Sequence, residues 1–557
     1  MRSSIAAIAA ILALSSPLVA QAAPAKAAAA KKGVDPSIDT MKRLVKELSS
    51  DAYEGRAPGT PGEDKTLALL AADFGKLGLK PGNKGSWFQD VPLVEINAKN
   101  VSPLTFSGGK AAITAAYGPE MVIGTYRTTQ PHIEVKDSPV VFVGYGINAP
   151  EKGWNDYAGL DVKGKTVIIL VNDPDYETQG LTGPFNGRAM TYYGRWTYKY
   201  EEAARQGAAA AIIVHDTIPA AYGWNVVQSS WTGAQHVADS ANGNADQSQA
   251  IGWIQKDKAA ALFASAGLDL DQQMAAAKQK GFKAVPLTGV TASVSFDNDL
   301  RKHSSKNVVA LLPGKTRPNE YVLYSAHWDH LGHCQAAPDG DDICNGAVDN
   351  ATGTAALVAL AEANMKAGPT DRSQVFLAVT GEESGLLGSA YYGAHPVFPF
   401  RQTVGGVNMD ALSVAGLAKN VVVIGKGKSQ LDAYLDRALA AQGRVATLEP
   451  TPEKGFYYRS DHFSFAKHGL PMLYFEGGED LVKGGTAAGM AAAEDYTKNR
   501  YHGPKDEYDP NWDWSGVLAD LKLYYAVGRD LATTKDWPNW VAGDEFRAIR
   551  DKDRAAK

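Results

Sequence analysis

The sequence predicts an α/β protein: a mixed, largely parallel sheet flanked by helices, with a second α/β unit inserted into it. Two observations carry this. From Asn307 onward, short β-branched runs alternate with helix-length segments, the pattern of parallel strands joined by helical crossovers. Between about 120 and 300 the texture changes to short apolar runs separated by Gly-rich turns. At 557 residues the chain can bury at least two cores, and 45% hydrophobic with 21% charged residues is ordinary for a globular protein.

The first element is an export signal over residues 1–22. Arg2 supplies the positive end, an apolar stretch runs from Ile5 to Leu14, and Ala20-Gln21-Ala22 is a small-residue cleavage site. The stretch is shorter than the ~20 residues needed to span a bilayer, so no membrane anchor is expected after signal removal. The mature chain is expected to be secreted or periplasmic. Residues 23–36, rich in Ala and Lys, are expected to form a disordered leader. A formal net charge of −5 without a basic run argues against a nucleic-acid partner.

The segment 37–80 is predicted helical, because Leu67, Leu70, Phe74 and Leu77 recur at helical spacing before Gly78. It contains a turn-rich loop, Glu54-Gly55-Arg56-Ala57-Pro58-Gly59-Thr60-Pro61-Gly62. Strands follow at 140–143, 166–171 and 211–214, with a helix over 198–206. Gly144-Tyr145-Gly146 mimics a dinucleotide fingerprint, but Pro150 leaves no helix N-terminus aligned for a pyrophosphate.

Beyond 300, the runs 321–325, 375–379, 404–407, 421–424 and 472–475 are apolar enough for buried strands, with helices over 354–365 and 431–441 between them. Cys334 and Cys344 bracket one loop. In an oxidising compartment a disulfide there would contribute roughly 2–3 kcal/mol by loop closure; two free thiols are the alternative.

Within this second stretch lies a series of metal-ligand residue types, in order His327-Trp328-Asp329, Asp349, Glu382-Glu383, Asp410 and His502. Two imidazoles and three carboxylates can hold two divalent ions, and a further carboxylate is left to act as a base. His327 with Asp329, the two glutamates and Asp410 each follow a predicted strand. The carboxyl ends of parallel strands are where active sites gather. Mixed nitrogen and oxygen ligands without thiolate suit zinc.

These motifs resemble the M28 zinc exopeptidases, the di-zinc family that includes small secreted bacterial aminopeptidases and glutamate carboxypeptidase relatives. Ser325-Ala326-His327-Trp328-Asp329-His330 is similar to the family's His-x-Asp motif, which implies His327 as a zinc ligand and Asp329 as the carboxylate orienting it. Asn345-Gly346-Ala347-Val348-Asp349-Asn350 implies Asp349 as the bridge between metals. Thr380-Gly381-Glu382-Glu383-Ser384-Gly385 implies Glu382 as general base and Glu383 as ligand. Asn408-Met409-Asp410 and Tyr501-His502-Gly503-Pro504-Lys505-Asp506 imply Asp410 and His502 as the remaining ligands. Tyr501 takes the place of an oxyanion donor, and Arg459-Ser460-Asp461-His462 makes Arg459 a substrate contact. His330, His333, His395 and His462 are expected to pack or to face solvent.

Val141-Phe142-Val143-Gly144-Tyr145-Gly146 and Lys199-Tyr200-Glu201-Glu202-Ala203-Ala204 resemble the protease-associated (PA) domain inserted in larger family members. The implied organisation is a peptidase domain over 37–120 and 300–557 with a PA insert at 121–299. The implied activity is an aminopeptidase holding two divalent ions, zinc, and acting on peptides with a free N-terminus. A carboxypeptidase or dipeptidase on the same metals is the alternative, and a catalytically silent binding protein is the reading from another class. Oligomeric state is unknown from sequence.

Overall fold

The computed structural model describes residues 34–556. The signal expected at 1–22 lies outside them, as does most of the leader expected at 23–36. Helix Ile38–Leu48 begins where Ser37 accepts the backbone N–H of Thr40, and Met41, Leu44, Val45 and Leu48 form its buried stripe. After the 3₁₀ segment Asp51–Arg56, helix Pro61–Lys76 buries Leu67, Leu70 and Phe74 in the same core.

That core lies against a mixed sheet. Strands Arg372–Val379, Arg317–His327, Thr403–Asn408 and Met472–Gly477 run parallel in that spatial order. The end of the long strand Val285–Leu312 closes one side antiparallel to Arg372–Val379. On the other side, Asn420–Ile424 pairs antiparallel with Met472–Gly477 and carries Val445–Leu448 parallel. Alternate residues feed opposite faces. Val322, Tyr324, Phe376 and Ala378 pack with helices Thr352–Ala367 and Ser515–Thr533, whereas Leu323, Val375 and Leu377 pack with Tyr392 and Phe465. With both faces covered, the strands read as continuous apolar runs rather than as alternation.

A second core draws on residues 104–296. Strands His132–Phe142, Thr166–Leu170, Ala210–His215 and Ala250–Gln255 run parallel in that order, with helices Trp196–Arg205 and Lys256–Ser265 packed on them. It is tied to the first core by Phe88–Lys99, which pairs antiparallel with Val285–Leu312 from Val308↔Phe88 to Asp297↔Lys99. The polar run 301–306 inside that long strand carries no apolar strand signal; ladder pairing, not burial, keeps it extended. Among the described residues, no helix is long and apolar enough to cross a membrane.

Candidate metal centre

The parallel strands deliver their carboxyl ends to one place. His327 is the last residue of Arg317–His327, Glu382 and Glu383 follow Arg372–Val379 by three and four residues, and Asp410 follows Thr403–Asn408 by two. Asp349 sits in the irregular turn 347–351 that leads into helix Thr352–Ala367, and His502 lies early in the loop between helices Gly485–Asn499 and Ser515–Thr533. The turn is entered through Gly346 at φ +54°, where a Cβ would meet the Asp349 carbonyl at 2.3 Å.

Asp349 stands between two sets of ligand types. Its Oδ1 is 3.3 Å from His327 Nε2, which is also 3.1 Å from Asp410 Oδ1. Its Oδ2 is 3.4 Å from His502 Nε2, which is 3.0 Å from Glu383 Oε2. Ligand atoms placed about 2.0–2.2 Å from a tetrahedral zinc lie somewhat over 3 Å apart, so both sets fit a zinc-sized cation. His327 Nδ1 can only donate to the Asp329 carbonyl, 3.2 Å away, which leaves Nε2 bare toward the cation position.

His330 packs against one of the ligand types. It is buried, and its Nδ1 lies 2.6 Å from Glu383 Oε1. That is a hydrogen bond, too short for two ligands of one ion, so His330 steadies Glu383 while His502 faces its other oxygen. His462 is buried, and His333 and His395 are exposed, in keeping with packing or surface places.

Further partners hold the set in place. Ser460 donates to Asp410 Oδ2 at 2.6 Å and itself accepts from Asn408 Nδ2 at 2.8 Å. Asp506 accepts the backbone N–H groups of Val348 and Asp349 at 3.0 Å. Arg56, fully buried, donates to the carbonyls of Leu48, Trp328, Asn345 and Gly346 at 2.7–3.0 Å, tying the His327 loop to the Asp349 loop. Asp329 Oδ1 accepts the Glu382 N–H at 3.2 Å but lies 3.8 Å from His327 Nδ1, beyond hydrogen-bonding distance, so it is the Asp329 carbonyl and not the carboxylate expected from sequence that holds the ring. Ser460 and Asp506 lie inside motifs that the sequence singles out. Arg56 lies in a turn-rich loop and could not be read, because its partners are carbonyls.

The electrostatics separate the two adjacent glutamates. Burial, reinforced by Glu383 and Asp410, raises Glu382 well above the usual carboxylate range despite His327. Burial also acts to raise Glu383, but His502 and His330 outweigh it and hold this carboxyl at about 2. Burial disfavours the His502 imidazolium, yet Glu383 and Asp349 together push it up to about 10. Burial brings Asp329 to about 7 against the opposing pull of His327.

Glu382, Glu383, Tyr501 and His502 open on a cleft whose far wall comes from the second core through Tyr126, Tyr192, Arg195, Trp196, Tyr222 and Trp231. Tyr501 stacks on His502 with ring centroids 3.9 Å apart, and Arg459 Nη2 donates to its hydroxyl at 3.3 Å. Burial raises the Tyr501 phenol far above its ordinary value, so it stays protonated and able to donate. Cys334 and Cys344 are disulfide-bonded. Their loop packs on Gly55, at φ +63°, where a Cβ would meet the Cys344 carbonyl at 2.5 Å. A second His/Glu cluster, Glu95 with His236 and His303, already has a cation, because the Arg301 guanidinium contacts Glu95.

Residues 307–526 match the model of peptidase family M28. The fold is similar to that of an aminopeptidase from Aneurinibacillus sp. strain AM-1, with a TM-score of 0.53 and 19% identity over 90% of this chain and 96% of that one. A zinc aminopeptidase from Bacillus subtilis aligns at 18% identity and a TM-score of 0.46, over 90% of this chain and 97% of its own. Aminopeptidase NAALADL1 of Mus musculus is 30% identical over 128 residues, 22% of this chain. That alignment spans only 16% of the mouse protein's length.

Proposed function

Over residues 307–526 the chain belongs to peptidase family M28, and from that premise we propose that it is a secreted di-zinc aminopeptidase. The observation that carries the reading is Asp349, each of whose oxygens faces its own imidazole, at 3.3 and 3.4 Å. A carboxylate so placed is suited to bridge two cations, His327 and Asp410 completing one side, Glu383 and His502 the other. Two zinc ions held there would supply Lewis acidity and a nucleophilic water at neutral pH.

The side chains then divide the work. Glu382, the carboxylate left without a cation role, takes a proton from the attacking water and passes it to the leaving amine. Burial raises its proton affinity and cations held beside it would lower it, an opposition that suits it to both steps. The Tyr501 hydroxyl, steadied by Arg459, donates to the tetrahedral oxyanion, a contact typically worth ~10²–10³ in rate. Asp329 orients His327 through its backbone carbonyl. Residues 121–299 are taken as a PA insert that walls the cleft and limits substrate length.

One observation favours the second reading, a carboxypeptidase or dipeptidase of the same family. Arg195 lines the cleft without an ion-pair partner among the described residues, and its Nε is buried and unbonded. With Arg459 it offers positive charge for a substrate carboxylate. Short peptides blocked at one terminus or the other separate the readings. Loss of cleavage on N-acetylation alone supports the aminopeptidase, and loss on C-terminal amidation, with or without loss on N-acetylation, supports the second reading. Zinc analysis returning about two equivalents per chain, with activity abolished by chelator, is the result both require.

A further inference from the structure

The second core also touches one of the proposed ligands. Helix Trp224–Trp231 presents Ser230, whose Oγ lies 3.1 Å from His502 Nδ1. The opposite nitrogen of that ring faces Glu383 and Asp349. Nε2 can bind a cation only when bare, which places the ring proton on Nδ1 and makes the Ser230 hydroxyl its acceptor. The Tyr501 ring stacked on His502 fixes the plane of the imidazole. A stacking partner does not fix rotation within that plane; a hydrogen bond to Nδ1 does.

The hydroxyl is rigidly carried. Trp231, next to it, meets Trp196 and Tyr200 edge-on at 5.8 and 5.7 Å. At the other end of the helix, Trp224 Nε1 donates to the Gly118 carbonyl at 2.9 Å, and Val226 and Val227 are buried between. Trp196, Tyr200, Trp224, Val227 and Trp231 belong to the cluster on the other face of the second core's parallel strands, with Val167, Ile169, Ala211 and Ile213.

The two imidazoles differ in this respect. His327 gives its Nδ1 proton to a carbonyl two residues along its own chain, at 3.2 Å. His502 uses a residue 272 positions away in sequence, on another core. We propose that Ser230 is a positioning residue that sets the tautomer and rotation of His502, so that cation retention on the Glu383–His502 side depends on the second core. This deepens the metal-centre reading and rests on it.

The test uses the full-length, zinc-loaded protein and follows zinc retained against increasing chelator, with the absorption spectrum of the cobalt-substituted form as a second readout. Ser230→Ala is expected to bind one of two ions about 10–100-fold more weakly and leave the other unchanged. Its kcat should recover in excess zinc with little change in KM. Ser230→Thr, which keeps the hydroxyl, should behave as wild type, and Ser230→Val, its isostere, should behave as the alanine variant. The proposal is overturned if Ser230→Ala and Ser230→Val hold both ions as tightly as wild type with an unchanged cobalt spectrum, or lose both equally. Wild-type protein that binds fewer than two ions overturns the metal-centre reading and this inference with it.

Discussion

Glu382 and Glu383 are neighbours on one turn, yet their surroundings drive them apart. Glu383 lies between His330 at 2.6 Å and His502 at 3.0 Å, and is held ionised at about 2. Glu382 is half-buried at the cleft beside other carboxylates, and desolvation raises its proton affinity. Glu382→Gln should therefore retain about two zinc ions while turnover falls by roughly 10²–10⁴. Zinc content measured alongside kcat checks it, and substantial residual activity would remove Glu382 as the base. His330→Ala should act differently, by loosening Glu383. Zinc affinity should fall about 10–100-fold, with activity recovering in excess zinc. The paired-glutamate motif was legible in the sequence; the partners of Glu383 were not, because His330 and His502 reach it only through tertiary contact.

Among elements, the loop 51–62 does more than link two helices. Arg56 from this loop satisfies four carbonyls, three of them in the loops carrying His327 and Asp349. Arg56→Ala leaves these buried acceptors unpaired, so it should cost about 3 kcal/mol or more and release metal, as seen by denaturant titration with zinc analysis. In the second core, Asp156 accepts from Trp154 Nε1 at 2.7 Å and from the Ile147 N–H at 3.0 Å, but burial wins and raises it to about 7. A carboxyl raised in the folded state binds its proton more tightly there than in the unfolded chain. Its contribution is thus complete below the unfolded value of 3.8 and is lost as pH rises through about 7. Thermal melts between pH 4.5 and 7.5 should show stability declining across that window. Asp156→Asn should flatten the decline.

At the scale of the whole molecule, the proposed centre gathers ligands from five separate stretches of chain. Cations bound there favour the folded state by mass action, about 2.7 kcal/mol per site at a hundredfold excess over Kd. Chelation should lower the melting temperature and zinc should restore it; an unchanged melt would mean that the centre holds no structural metal. The apolar runs at 321–325, 375–379, 404–407, 421–424 and 472–475 all fall within observed strands, because strands covered on both faces must be apolar throughout. Within the strand Val285–Leu312, residues 301–306 left no such trace, since there it is extended by its partner Phe88–Lys99 rather than by burial.

Read linearly, the chain already yields its sheet, its helices and the residue types of a two-cation centre, because apolar periodicity and ligand chemistry are local properties. Folding alone decides which nitrogen of His327 and His502 points inward, which glutamate is held charged, and that Ser230 and Arg195 border the same cleft. Those choices depend on distances of about 3 Å between groups hundreds of residues apart, to which spacing along the sequence is blind.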